Sequence, residues 1–304
     1  MNIELNRVLN NDNTVLITGK TGTGKTYTAK KIHKLSKYKN EKLVSLNIAS
    51  LSDSLFESEL FGHVRGSFSG ATSDKKGFCE VASNGILFLD EIGELKKETQ
   101  AKLLTLIDDK VFYSVGCTQP KRFRGKIIVA TNKNLPEMVN SGEFREDLYY
   151  RLRFYELRMT ELIKYPNYKQ VIWTEVQNYL INQNKLHIKI TNDFYEALYN
   201  YLWPGNFREL KNTIEYVFSS EEHSICRKNL PYWIVENKPY GAAKGHLYHY
   251  SMESFEKNYL EQSLKKYAGK INLTAEMIGL NKVTLISKLK KYDINRLNFK
   301  NRAI

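Results

Sequence analysis

The chain has 304 residues, 42% of them hydrophobic and 26% charged, with a formal net charge of +13. That length suits about two domains with buried cores; no apolar run approaches the ~20 residues that cross a bilayer, and Met1-Asn2-Ile3-Glu4-Leu5 lacks the basic-then-apolar pattern of a secretory leader. Cys79, Cys117 and Cys226 lie far apart with neither metal spacing nor a disulfide framework, which predicts reduced thiols in a cytoplasmic protein, and the positive charge points to nucleic acid or an anionic surface unless it reflects a general lysine bias.

Residues 1–160 alternate short apolar runs with amphipathic stretches. Val15-Leu16-Ile17-Thr18 reads as a buried strand, residues 25–35 as the helix after it, and 43–46, 86–89 and 126–130 as further buried strands. This is the pattern of an α/β core, a parallel sheet covered on both faces. Residues 161–235 lack such runs; helical spacing at 171–180, 193–202 and 206–218 predicts a small helical domain. Residues 236–250, with Pro239, Gly241 and Gly245, read as a linker, and 251–304 return to helical periodicity.

Between the first strand and its helix stands Gly19-Lys20-Thr21-Gly22-Thr23-Gly24-Lys25-Thr26, a full G-x-x-x-x-G-K-[ST] phosphate loop in its proper setting. The glycines let main-chain amides turn toward phosphate oxygens, and the helix that follows adds its positive end. Lys25 is placed for the β- and γ-phosphates of ATP, and the Thr26 hydroxyl for Mg²⁺. The strand at 86–89 ends in Asp90 and Glu91. Asp90 is then the second Mg²⁺ ligand, and Glu91 the group that orients and deprotonates the attacking water.

These blocks occur with others in a fixed order: Glu59-Leu60-Phe61-Gly62-His63, then Gly66-Ser67-Phe68-Ser69-Gly70-Ala71, Ala130-Thr131-Asn132, Phe144-Arg145-Glu146-Asp147-Leu148-Tyr149-Tyr150-Arg151-Leu152 and Trp203-Pro204-Gly205-Asn206-Phe207-Arg208-Glu209-Leu210. Over residues 13–220 the chain resembles the sigma-54-dependent bacterial enhancer-binding proteins of the AAA+ class. The resemblance implies an AAA+ P-loop core, a helical lid and assembly into a ring, usually a hexamer. It gives Asn47 the coupling of nucleotide state to Glu91, and Thr131 with Asn132 the sensing of the γ-phosphate. Arg145 and Arg151 become fingers that reach a neighbouring subunit's nucleotide, and Arg208 a sensor on the lid. The plain alternative for Arg145 and Arg151 is a solvated run paired with Glu146 and Asp147. Trp203 and Phe207 read as lid core.

In that family the loop Gly66, Ser67, Phe68, Ser69, Gly70 and Ala71 contacts sigma-54 in the RNA polymerase holoenzyme. Its usual form is GAFTGA, so Ser67 replaces alanine and Ser69 replaces threonine. The two serines leave room for a regulator that keeps the fold but acts on other promoters. A second departure is the region 159–166, which lacks the usual Pro-Pro-Leu-Arg-x-Arg segment and so leaves the adenine pocket and lid coupling open. With about a dozen residues before the first strand, the layout resembles stand-alone members that a separate regulatory protein controls.

Residues 251–304 hold 11 Lys/Arg and 5 Asp/Glu, a net of +6. Residues 271–280 predict a first helix ending at Gly279, and 283–292 an amphipathic second one. Ala275, Ile278, Leu280, Leu285 and Leu289 form the expected apolar face, with Lys282, Thr284, Ser287, Lys288 and Lys291 toward upstream (enhancer) DNA. This resembles the Fis-type helix-turn-helix, whose second helix lies in the major groove.

Overall fold

The computed structural model describes residues 2–236 and 260–295, apart from positions 10, 52, 221, 262, 279 and 293, together with residue 299. Contacts divide the chain into two units, Met1–Lys238 and Pro239–Ile304. Of the linker read at 236–250 only Glu236 is described, and Gly279 also lies outside the described residues.

The first unit begins with α1 (Asn2–Leu9), β1 (Val15–Thr18), α2 (Lys25–Leu35), β2 (Leu43–Asn47) and α3 (Asp53–Phe61). A short hairpin of β3 (Gly62–His63) and β4 (Lys75–Lys76) follows, then α4 (Phe78–Ala82), β5 (Ile86–Asp90) and α5 (Lys97–Asp108). A second hairpin, β6 (Val111–Phe112) and β7 (Lys121–Arg122), leads into β8 (Lys126–Thr131), α6 (Leu135–Asn140), α7 (Glu146–Leu152) and β9 (Tyr155–Arg158). Five strands form one sheet in the order β2-β5-β8-β1-β9, every pairing parallel.

The two faces of this sheet follow from the period of two along each strand. Leu16, Leu87, Leu89, Ile127 and Val129 pack with Phe56, Leu60, Leu103 and Leu148. Their neighbours Val15, Ile17, Ile86, Phe88, Ile128 and Ala130 pack on the other side with Leu5, Val8, Ala29 and Ile32. Strands buried on both faces read as continuous apolar runs, which is why β1, β5 and β8 are visible in the sequence; β2, expected to be buried, is instead an edge strand with only Leu46 buried, and shows through its apolar Leu43, Val44 and Leu46. The fifth, β9, is an edge strand whose Tyr155, Glu156 and Arg158 are not buried, so no run announces it.

Lys126 opens β8 with its side chain fully buried. Its Nζ donates to Val8 O at 2.8 Å and Asn11 O at 2.6 Å, clamping the C-terminal end of α1. Burial pushes its pKa from 10.5 down to about 8, against the pull of Asp12 and with help from Lys110 and Lys37. Between those two pH values the unfolded chain binds more protons than the folded one, so stability rises with pH there. Against a Lys126→Met chain, wild-type unfolding free energy should gain about 2 kcal/mol between pH 8 and 10. Urea titrations across that range check this; a difference that stays flat with pH would show that the amine is not held as described.

The rest of the unit is α8 (Tyr168–Asn182), α9 (Asn192–Asn200), α10 (Asn206–Phe218) and α11 (Tyr232–Val235), with a two-residue parallel bridge of β10 (Lys189–Ile190) and β11 (Ser224–Ile225) that the sequence did not announce. They share a core built on Trp203, Phe194, Leu198, Leu210 and Phe218. In the second unit α12 (Ile271–Met277) and α13 (Lys282–Lys291) pack through Ala275, Leu285 and Leu289 on Leu260 and Leu264. Ile278 and Leu280 are only half-buried. Among the described residues no helix is long and apolar enough to cross a membrane.

Candidate nucleotide site and its projecting loop

The phosphate loop joins β1 to α2. Gly19, Gly22 and Gly24 have φ of +152°, +77° and +94°, values that L side chains rarely adopt. Gly22 is needed for space as well, since a Cβ there would stand 2.0 Å from Gly205 O of the lid. Lys25 is 7% exposed, and its Nζ donates to Gly19 O at 2.9 Å, inside the curve of the loop. Burial lowers its pKa, opposed by Glu91 and Asp90 and reinforced by Arg208. Arg208 stands over the same loop, its Cβ 3.2 Å from where a Cβ on Gly22 would lie.

The Thr26 hydroxyl donates to Asp90 Oδ2 at 3.2 Å, so the helix start and the end of β5 bring two oxygen donors together. Among the described residues no group of three or more His, Cys, Asp and Glu forms a metal cage. One carboxylate and one hydroxyl fit Mg²⁺, which keeps several waters and takes phosphate oxygens as ligands.

Glu91 follows at φ +58° and ψ +50°, a left-handed conformation that is strained for a residue with a Cβ. The strain aims its carboxylate across the sheet's end, where Oε2 accepts the Asn132 N–H at 3.2 Å. Asn132 Nδ2 in turn donates to Thr21 Oγ1 at 3.2 Å, and Thr131 is fully buried at the end of β8. One chain of hydrogen bonds thus joins the acidic strand end, the neighbouring strand end and the phosphate loop. Asn47 pairs with Asp90 in the β2–β5 register, but its carboxamide accepts from Ala49 N–H at 3.0 Å and caps its own turn. Arg145, half-buried, is paired with Asp147 at 2.6 Å, and exposed Arg151 with Asp108 at 2.8 Å.

Asn206 was not singled out by the sequence. It is 2% exposed with φ +52°; Nδ2 donates to Thr21 O at 3.0 Å and Oδ1 accepts Leu162 N–H at 2.9 Å. This carboxamide, with the Lys20–Glu161 ion pair at 2.9 Å, ties the lid to the phosphate loop without the arginine segment whose absence left that coupling open. Beside the loop lies a cavity of about 450 Å³ lined by Tyr27, Met159, Tyr165 and Phe207 with Thr23 and Gly24. Its size and apolar walls suit a purine and its sugar. Trp203 is lid core as expected, 1% exposed; Phe207 is half-buried and faces this cavity.

The loop at 66–71 is the tip of the β3–β4 hairpin. Gly66 N–H donates to Ala71 O at 2.8 Å and Ala71 N–H to Phe68 O at 3.0 Å, closing the tip. Gly66 and Gly70, at φ +83° and +109°, stand in open space. Phe68 is 40% exposed, its ring centroid 5.0 Å from that of His63 in an edge-to-face arrangement, and His63 is held by Ser58 Oγ at 2.8 Å. Ser69 is exposed. Ser67 packs on the β6–β7 hairpin, where a Cβ on Gly116 would stand 2.5 Å from its own, and its hydroxyl is buried with no hydrogen-bond partner.

On α13 the Asn281 side chain caps the helix by accepting Thr284 N–H at 2.8 Å. Lys282, Ser287 and Lys291 are exposed as expected, whereas Thr284 and Lys288 are half-buried. Val283 and Lys290, which the sequence reading left out of the DNA face, are exposed.

Residues 1–158 match the family described as the Sigma-54 interaction domain, 171–246 the AAA+ ATPase lid domain, and 251–292 bacterial regulatory proteins of the Fis family. Nitrogen fixation protein AnfA of Azotobacter vinelandii is 36% identical over 301 residues, covering 98% of this chain and 56% of that protein. Transcriptional regulatory protein ZraR of Salmonella typhimurium is 35% identical, covering 95% of this chain and 65% of that one. The chain spans only part of such regulators, down to 41% of NorR2 of Cupriavidus necator. The crystal structure of NtrX from Brucella abortus in complex with ATP superposes with a TM-score of 0.71 at 29% identity, covering 96% of this chain and 67% of that one. With its P-loop domain, its lid and its Fis-type helix-turn-helix all matched in order, the chain belongs to the AAA+ sigma-54-dependent transcriptional regulators.

Proposed function

We propose that the chain binds upstream DNA, assembles as a ring and uses ATP hydrolysis to remodel sigma-54 RNA polymerase into the open complex. The observation that carries this reading is the hydrogen-bonded line Glu91–Asn132–Thr21, which links a candidate water-activating carboxylate to the phosphate loop through Asn132. Lys25 and Arg208 supply positive charge for the phosphates, and Thr26 with Asp90 would hold Mg²⁺. When bound, the ion neutralises charge on the β- and γ-phosphate oxygens. Glu91 takes the proton of the attacking water, and Thr131 with Asn132 senses the γ-phosphate. Arg145 and Arg151 are offered to a neighbouring subunit's nucleotide, so the site is completed between subunits of a hexamer. Asn47, one strand over from Asp90, leaves its own turn to meet Glu91 as the nucleotide changes. The work is done in the cytoplasm under the control of a separate regulatory protein.

Gly66, Ser67, Phe68, Ser69, Gly70 and Ala71 form the docking tip for sigma-54, with Phe68 as its anchor. An aromatic ring buried at an interface centre is worth ≥ ~2 kcal/mol. Phe68→Ala should therefore weaken the sigma-54 complex trapped with an ATP transition-state mimic by about 30-fold or more. Hydrolysis and DNA binding should stay near wild type. Pull-down with the mimic and phosphate release check the two halves. If wild-type chain with the mimic binds no sigma-54, the serines at 67 and 69 mark a regulator that acts on other promoters; if the variant loses hydrolysis, the loop belongs to the catalytic machinery.

A further inference from the structure

On α13 the residues opposite the buried Leu285 and Leu289 are Val283, Ser287 and Lys290, spaced i, i+4 and i+7. Val283 is 77% exposed, more than any other large hydrophobic among the described residues, and Ile286 beside it is 36% exposed. Neither packing nor local preference accounts for a valine there. It lies outside the buried cluster of this unit, and a β-branched side chain is a poorer helix former than the lysines around it. Its surroundings are cationic and hydroxylic: Lys282, Lys290 and Lys291 are exposed, as is Ser287. The Asn281 cap fixes the first turn, so the valine is presented at a set angle. An apolar spot on a helix that also carries exposed lysines at both ends is complementary to a surface that is anionic at its edges and carries methyl groups within. The major groove of a duplex has that pattern, with phosphates along both rims and the C5-methyl of thymine on its floor.

We propose that Val283, with Ile286 as its neighbour, reads thymine methyl groups, so that each half-site carries thymine beneath the first two turns of α13. The inference rests on the DNA-binding reading above and adds what the helix recognises. The lysines set affinity through the phosphates and contribute no sequence preference. Preference for thymine over cytosine at the contacted position comes from the methyl group meeting Val283.

The experiment selects duplexes that bind the full chain from a random library, then replaces each thymine of the selected site with deoxyuridine, which removes the methyl and nothing else. At the position under Val283 the wild-type chain should lose about fourfold in affinity, the value of one buried methyl-sized group. Val283→Ala, at an exposed helical position that alanine favours, should show no such loss while keeping the wild-type salt dependence. A selected site without thymine under the helix overturns the proposal, as does a uracil penalty equal in the two chains. Loss of self-association in Val283→Ala with the uracil penalty unchanged assigns the valine to a contact between copies and likewise overturns it. Absence of any duplex binding by the wild-type chain would sink the DNA reading and this inference together, whereas binding indifferent to uracil sinks the inference alone.

Discussion

Glu91→Ala should bind Mg-ATP about as tightly as the wild-type chain and hydrolyse it about 10²- to 10⁴-fold more slowly, the usual worth of a positioned general base. Among the described residues the carboxylate makes one hydrogen bond, from Asn132 N–H, and none to Lys25, Thr26 or Asp90, the groups placed for phosphate and metal. Truncation therefore leaves those groups in position. Alanine also keeps a Cβ, so the left-handed backbone at this position is strained to about the same degree in both chains. Two measurements separate the outcomes: titration with a fluorescent ATP analogue for binding, and phosphate release for turnover. Turnover within threefold of wild type would remove Glu91 from its role and direct attention to another base. Loss of binding would mean instead that the carboxylate shapes the phosphate loop through Asn132 and Thr21.

Trp203→Ala should destabilise the lid by about 3–5 kcal/mol, the range for removing a buried aromatic from a packed core. The indole is 1% exposed, stacks edge-on against Tyr201 at 5.1 Å and donates from Nε1 to Leu198 O at 2.9 Å. Its backbone is left-handed at φ +51°, which alanine relieves no better than tryptophan. The loss thus combines a large void with an abandoned carbonyl. The chain's three tryptophans are Trp173, Trp203 and Trp233, so the two that remain in the variant both report on the lid. Their fluorescence on heating gives its transition separately from the rest of the protein. A shift of less than about 4 °C, the scale of 1 kcal/mol or less in a unit this small, would show that the lid is not built on this side chain. Because Asn206 lies three residues on and holds Thr21, nucleotide affinity should fall at the temperature where the lid loosens.

The parts of the site legible in the sequence are those whose chemistry is local. A phosphate loop needs glycines and a lysine at fixed spacing within eight residues, and a buried strand ending in Asp90 and Glu91 needs only its own apolar run. The strand edge β9 escaped because one of its sides is open, so Glu156 and Arg158 stay polar and pair with each other at 2.9 Å. Asn206 escaped for a different reason. Its partners, Thr21 and Leu162, lie 185 and 44 positions away, and only the folded lid brings them to one carboxamide. Phe207 was read as core because an aromatic at helical spacing usually is; nothing in its own turn says that the wall it joins has a cavity on the other side. On α13 the lysines were legible as charge and Leu285 and Leu289 as the buried face, but Val283, apolar itself, gave no sign that it stands exposed.

The hydroxyl of Ser67 bears on the resting balance of the loop it belongs to. A buried polar group without a partner costs about 1–3 kcal/mol, and the alanine usual at this position of the family would not incur that cost. The tip packed on the β6–β7 hairpin is therefore less comfortable here, and any rearrangement that returns Ser67 to water recovers the difference. A preference of that size is about 5- to 150-fold in an equilibrium, large enough to move the balance between a tip at rest and a tip extended before any nucleotide arrives. On the function proposed above, such a chain would idle closer to its working posture than one with alanine. In the ring proposed above, quiescence would then have to come from outside the loop, and the threshold for response would be set by how firmly the proposed regulatory protein holds it.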